Sequence, residues 1–175
     1  MKKTLVLIVA FVLAFSLVGT SLAASPLKMG KAEYATNGTK SFTVAVVALQ
    51  DNVIVGAYLD EYEMFSKSDT IGVPNSDADF GKAFANQDMH LASKKTNSVW
   101  YSEVMSKYAG ATVTIANNFK AIEDFVIGKT VAELEALVGG QPRSELVDAV
   151  TGATLVDTGG YLAALLAAAR DAQKN

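Results

Sequence analysis

The sequence SFTVAVVALQDNVIVGAYL, residues 41–59, specifies the most definite structural element of the chain. Residues 41–49 and 53–59 are rich in β-branched side chains and apolar on both alternating faces, which is typical of buried β-strands. Gln50-Asp51-Asn52 lies between them, and Asp and Asn tolerate the positive φ of a tight turn. The segment therefore predicts a β-hairpin, with a bulge or close backbone approach at Gly56. We expect residues 60–63 to leave the sheet.

Helix-like periodicity dominates the sequence after this hairpin. Residues 66–98 are polar, and we expect them to wrap over the sheet with a short helix near residues 78–85. Apolar spacing and capping signals predict the remaining elements. Helices are predicted over residues 99–108, 119–127, 130–138 and 161–172, with N-caps at Ser98, Asn118, Thr130 and Thr158. Short strands are predicted over residues 111–116 and 146–150, and a turn at residues 37–39. We find no internal repeat and no linker. This order predicts one α+β domain, a mostly antiparallel sheet with packed helices.

The first residues resemble an export signal. Lys2 and Lys3 precede an uncharged apolar run that ends in the small residues of Ser21-Leu22-Ala23-Ala24-Ser25. A basic start, an apolar core and a small-x-small site are typical of a secretory signal peptide. We expect residues 1–23 to be removed and residues 24–175 to form the domain outside the cytoplasm. The alternative is a retained membrane anchor, because the run is close to the length that spans a bilayer.

The composition excludes several kinds of site. The chain has no cysteine and one histidine, and its formal net charge is −3. Cysteine-ligated iron–sulfur clusters, c-type haem attachment and histidine-rich metal sites are therefore excluded. A mildly acidic chain also lacks the basic patch that nucleic-acid binding requires.

The heptapeptide Asp148-Ala149-Val150-Thr151-Gly152-Ala153-Thr154 resembles the sequence that flavin transferases recognise when they esterify FMN onto threonine. In that pattern an acidic residue, two variable positions, Ser or Thr, Gly and Ala precede the modified Thr or Ser. The chain is similar to the FMN-binding domains of sodium-pumping quinone reductases and of exported bacterial flavoproteins. Those domains also have a Val-rich hairpin upstream and a late helix after the modified residue. One departure is Leu155-Val156-Asp157, where family members often have Leu-Thr-Ser.

The resemblance implies a function. FMN would be covalently attached to Thr154 through its phosphate, with Asp148, Thr151, Gly152 and Ala153 forming the rest of the recognised site. The partners would be a flavin transferase and a membrane-bound redox protein, and the chain would carry electrons to an extracytoplasmic acceptor. It would be a redox carrier rather than a stand-alone catalyst. The phosphate is expected near the N-terminus of the last helix, which favours anions.

Other residues are weaker candidates for contact with the flavin. Trp100, Tyr101, Tyr58 and Tyr62 are aromatic groups that can stack on its ring, and His90 can donate to it. Lys129 and Arg143 can offset the charge of a phosphate. Each of these residues also has an ordinary structural or solvated role.

Two alternatives stay open. Thr151–Thr154 can be an ordinary turn, in which case the chain is a secreted binding or cell-surface module of the same fold without a cofactor. Asp157-Thr158-Gly159 also resembles the catalytic loop of aspartic proteases. That fold needs a long β-rich segment after the loop, whereas the residues that follow here read as a helix.

Overall fold

A computed structural model describes residues 25–175, and the expected signal peptide lies outside these residues. The fold is α+β, as the sequence predicts: a four-stranded antiparallel sheet in the order β1-β2-β3-β4 with helices packed on it. The strands are β1 (Lys28–Tyr34), β2 (Ser41–Gln50), β3 (Val53–Ser66) and β4 (Met89–Ser93). The α-helices are α1 (Ser98–Ala109), α2 (Ile115–Val126), α3 (Val131–Gly140) and α4 (Thr158–Ala172). Two 3₁₀ helices, η1 (Phe80–Ala83) and η2 (Arg143–Ala149), complete the described elements.

The predicted hairpin is confirmed. Asp51 and Asn52 turn the chain with φ of 51° and 64°, and β2 and β3 pair on either side of them. The register shifts by one residue where Ala48 pairs with Gly56 and Leu49 with Ile54. Val55 is thus the extra residue of a bulge, immediately before the predicted Gly56.

The sheet is larger than the sequence predicts. Residues 60–63 do not leave it, because β3 continues to Ser66 and pairs with both β2 and β4. The two outer strands were not expected. β1 is an edge strand with charged residues on its exposed side, and β4 has only five residues, so neither shows a strong apolar alternation.

Two predicted strands are wrong. Residues 111–116 form the connection into α2, because the N–H of Ala111 bonds to Met105 and that of Ile115 to Ser102, both in α1. Residues 146–149 lie in η2 and Val150 follows it in an extended conformation, with Leu146 and Val150 both buried. Neither segment has a neighbouring strand with which to pair.

The predicted helices are present, but their caps differ from expectation. Thr130 and Glu133 form the predicted capping box, and α3 then runs through both glycines at its end. α1 follows Asn97 rather than Ser98, and α2 begins after Thr114 rather than Asn118. The chain turns into α4 at Asp157, and the Thr158 hydroxyl bonds to the carbonyl of Leu155 instead of capping the helix.

The core lies between one face of the sheet and α4. Leu162, Leu165, Leu166 and Ala169 form the predicted buried face of that helix. α4 crosses β1 so closely that a Cβ on Gly30 would lie 2.2 Å from the carbonyl oxygen of Ala168. Only glycine fits at this crossing, which fixes the position of α4 and of the turn before it.

Candidate functional site

The heptapeptide begins in the last two residues of η2 and continues as a tight turn toward α4. Val150 and Ala153 are buried and anchor the turn in the core, whereas Thr151, Gly152 and Thr154 are exposed. The N–H of Ala153 donates to the carbonyl of Val150 at 3.1 Å. Gly152 has a φ of 91°, a conformation that side chains strongly disfavour. The small residues of the motif thus have a conformational role, since they allow the turn that presents Thr154.

Asn118 holds Thr154 in position. Its side chain is buried, and its amide nitrogen donates to the carbonyl oxygens of Val113 and Thr114 at 3.2 and 3.0 Å. The amide oxygen must therefore point the other way, where it accepts the N–H of Thr154 at 2.6 Å. The Thr154 hydroxyl lies 3.4 Å from the same oxygen. The sequence predicts only a helix cap at Asn118, because nothing in it indicates this contact across 36 residues.

A cleft opens beside Thr154. It has a volume of about 290 Å³ and lies between α1, the connection into α2 and the residues after the turn. Its polar lining includes Ser102, Asn118 and Thr154. The apolar lining consists of Tyr101, Met105, Val113, Ile115, Leu155 and Val156 together with nearby alanines. An apolar cleft with a few polar groups at one end is typical of small-ligand sites, and this volume is close to their lower limit of about 300 Å³.

Only part of the predicted set surrounds the cleft. Of the five motif residues, Thr154 alone lines it. Of the aromatic candidates, Tyr101 lines it. Trp100 packs edge-on against Phe65, and Tyr62 stacks on Phe42.

The other candidates have different surroundings. Tyr58 lies beneath Lys95, and His90 lines a separate cavity. Lys129 lies over the ring of Phe125, and Arg143 bonds to the hydroxyl of Tyr34. Neither predicted phosphate-binding cation borders the cleft.

The N-termini of two helices lie near the cleft. Val113 and Ile115, on either side of the α2 N-cap Thr114, line it. Leu155 and Val156, just before the α4 N-cap Asp157, line it as well. The backbone dipoles of either helix end are therefore available to an anion at the cleft.

A buried ionic cluster lies behind Tyr101. Lys94 is 2% exposed, and its ammonium is 2.7 Å from a carboxylate oxygen of Glu61 and 4.7 Å from the centre of the Tyr101 ring. Ser41 and Tyr161 also donate to the Glu61 carboxylate, each at 2.5 Å. Burial alone would lower the pKa of Lys94, but Glu61 and Tyr101 outweigh it and raise that pKa. The cluster keeps Lys94 charged beneath the aromatic wall of the cleft.

Asp157 lies close enough to this cluster to be affected by it. Burial, together with the negative charge of Glu61, raises the pKa of the Asp157 carboxyl, and Lys94 partly opposes that shift. Asp157 begins a helix rather than following a strand, so its surroundings differ from those of an aspartic protease loop.

Comparison with known proteins gives no match: no family model, no curated protein and no solved structure is significantly similar to this chain. Within residues 25–175, no helix has the length and apolar character needed to span a membrane. The same residues hold no group of three or more His, Cys, Asp or Glu side chains arranged for a metal ion.

Proposed function

We propose that this protein is an exported flavoprotein that carries FMN covalently on Thr154. In this role it accepts electrons from a membrane-bound oxidoreductase and passes them to an extracytoplasmic acceptor. The proposal rests on one observation: the threonine that the heptapeptide singles out borders an apolar cleft next to an aromatic ring.

The geometry around Thr154 is compatible with a flavin. The cleft is apolar, as a planar isoalloxazine ring requires, and Tyr101 offers a ring to pack against it. Its volume would suit one ring system. FMN supplies one- and two-electron transfer when it is bound, and the protein supplies the slot and its electrostatics.

The attachment requires a separate enzyme. The Thr154 hydroxyl contacts Asn118, whose amide cannot accept a proton as a base. A flavin transferase must therefore supply the base and an FMN phosphoanhydride such as FAD. Thr154 Oγ forms a bond to the FMN phosphorus while the anhydride P–O bond breaks. The hydroxyl proton passes to the transferase base, and the remaining nucleotide leaves with the bridging oxygen.

Asn118 prepares Thr154 for this reaction. Because its amide nitrogen is occupied by two carbonyls, its oxygen accepts the Thr154 N–H and keeps the Thr154 backbone in one place. The hydroxyl contact with the same oxygen is longer, at 3.4 Å, and must be given up when the hydroxyl proton turns to the transferase base. The same backbone contact persists after esterification, since it does not involve the hydroxyl.

Coexpression with a flavin transferase tests the proposal. We expect wild-type protein to be yellow and its intact mass to rise by that of FMN less one water. Thr154→Ala removes the acceptor oxygen and should be colourless, while Thr154→Ser keeps a hydroxyl and should be yellow. Colourless wild-type protein, or covalent flavin in Thr154→Ala, would refute the proposal.

A further inference from the structure

A second cavity lies beside β4, an edge strand of the sheet. It has a volume of about 380 Å³ and is formed by residues 70–77 together with Lys67 and His90. We call it the His90 cavity. It shares no lining residue with the cleft at Thr154, and its volume lies in the range of small-ligand sites.

Two almost fully buried polar side chains line this cavity. Ser76 is 2% exposed and His90 is 6% exposed. Gly72 packs directly against both side chains, because a Cβ at this position would lie 2.1 Å from Ser76 Oγ and 2.5 Å from His90 Nδ1. Within residues 25–175, Ser76 Oγ and His90 Nδ1 form no hydrogen bond to the protein, and neither belongs to the fully enclosed side-chain atoms without a partner, which are Thr36 Oγ1 and Thr43 Oγ1. Both atoms are therefore open to the cavity that their residues line.

The hydrogen bonds of Thr70 determine which nitrogen of His90 carries the hydrogen. The Thr70 hydroxyl donates its one hydrogen to the carbonyl of Ser66 at 2.8 Å. It can therefore only accept from His90 Nε2, which lies 2.8 Å away. Nε2 thus carries the hydrogen of the neutral ring, and Nδ1 presents a lone pair to the cavity. Burial, assisted by the charge of Lys67, lowers the pKa of His90 and keeps the ring neutral near pH 7.

The loop around the cavity is braced. The side chain of Asn97 accepts from the N–H of Ile71 at 2.7 Å and donates to its carbonyl at 2.9 Å. The N–H of Val73 donates to the carbonyl of Leu91 in β4. These contacts hold the cavity open without a ligand, which reduces the cost of ordering on binding.

These groups select one kind of ligand. A carboxylate or phosphate oxygen cannot donate a hydrogen bond to Nδ1, so anions do not match the pair. A hydroxyl both donates and accepts, as Nδ1 and a serine hydroxyl require. The rim carries one cation and one anion, Lys67 and Asp77, and so favours no net charge. We propose that the His90 cavity binds a neutral polyhydroxylated small molecule, a sugar or polyol, through a hydroxyl that donates to His90 Nδ1 and accepts from Ser76.

Nitrogen NMR of His90 tests this inference. It is the one histidine of the chain, so the ring signals in ¹⁵N-labelled protein without a histidine tag belong to His90, and only its two nitrogens have to be distinguished. At pH 7.5 we expect a hydrogen on Nε2 and a bare Nδ1. D-glucose or D-mannitol should shift the Nδ1 signal saturably, and sodium acetate at equal concentration should not.

Two variants show whether the shift comes from this cavity. Gly72→Ala places a methyl between Ser76 and His90 and should abolish the shift. Ser76→Ala removes one hydrogen bond of about 1 kcal/mol, equivalent to roughly fivefold weaker binding, with no lost contact inside the protein. A hydrogen on Nδ1 in the free protein, no saturable shift with either compound, or an unchanged affinity in Ser76→Ala would overturn the inference.

Discussion

Asn118 connects the fold to the proposed attachment site. It has four polar contacts with Val113, Thr114 and Thr154, and all of them are lost when the amide is removed. Sequence reasoning identified Thr154 from a local motif, but it could not identify Asn118. The contact depends on how α2 packs against a turn 36 residues away, and no local pattern encodes that packing.

The first prediction concerns this residue. Asn118→Ala should destabilise the protein by about 1–3 kcal/mol, because it removes partly buried hydrogen bonds to Val113, Thr114 and Thr154. Incorporation of FMN by a transferase should slow by roughly fivefold or more, the equivalent of one hydrogen bond of about 1 kcal/mol. Urea denaturation and the rate of FMN incorporation measure the two effects. Asn117→Ala, an exposed neighbour in the same helix, is the control and should change neither.

The second prediction concerns Asp157 and pH. Because burial and Glu61 raise its folded-state pKa above the ordinary value of 3.8, its ionisation opposes folding. This cost is absent below the unfolded-state pKa and is fully present once the pH has risen past the folded-state pKa. Asp157→Asn should therefore be more stable than wild type at pH 7 and lose that advantage near pH 3. Equal stability of the two proteins at pH 7 would contradict this account.

At the scale of elements, the sequence predicts those that local signals determine. The hairpin of β2 and β3 has a turn with two left-handed residues, and α3 has a complete capping box. The edge strands β1 and β4 form only because β2 and β3 offer them partners, so their own sequences carry little signal. Residues 111–116 show the converse, since a β-rich sequence without a partner strand becomes a loop and a helix start.

The third prediction compares two glycines in different elements. Gly30→Ala should destabilise the protein by about 1–3 kcal/mol or more, because the added methyl overlaps the backbone of α4. Gly139 lies in α3, and a Cβ added there would have no heavy atom within 4 Å. Gly139→Ala should stabilise α3 by about 0.5–1 kcal/mol. Urea denaturation of both variants measures the difference, and opposite signs are the expected result.

At the scale of the whole molecule, the Glu61 cluster joins elements that are distant in sequence. It ties β2, β3, the residues after β4, and α4 together through Ser41, Glu61, Lys94 and Tyr161. Lys94 also supports Tyr101, a wall of the cleft. The motif predicts which threonine would be modified. The cleft around that threonine is formed by α1 and α2, and the packing of these helices depends on the whole core.

The fourth prediction tests this cluster. Lys94→Met should destabilise the protein by about 3–5 kcal/mol, because it leaves the Glu61 carboxylate buried without a counter-charge. Adding Glu61→Gln removes that charge, so the double variant should be more stable than Lys94→Met alone. A double variant no more stable than the single one would show that lost packing, and not unpaired charge, accounts for the effect.

The most direct measurement of the central claim is peptide mass spectrometry on protein isolated from cells with an active flavin transferase. We expect the peptide containing Thr154 to carry the mass of FMN less one water, and fragmentation to place that mass on the oxygen of Thr154. An unmodified Thr154 peptide from such cells, or FMN on a different residue, would contradict it.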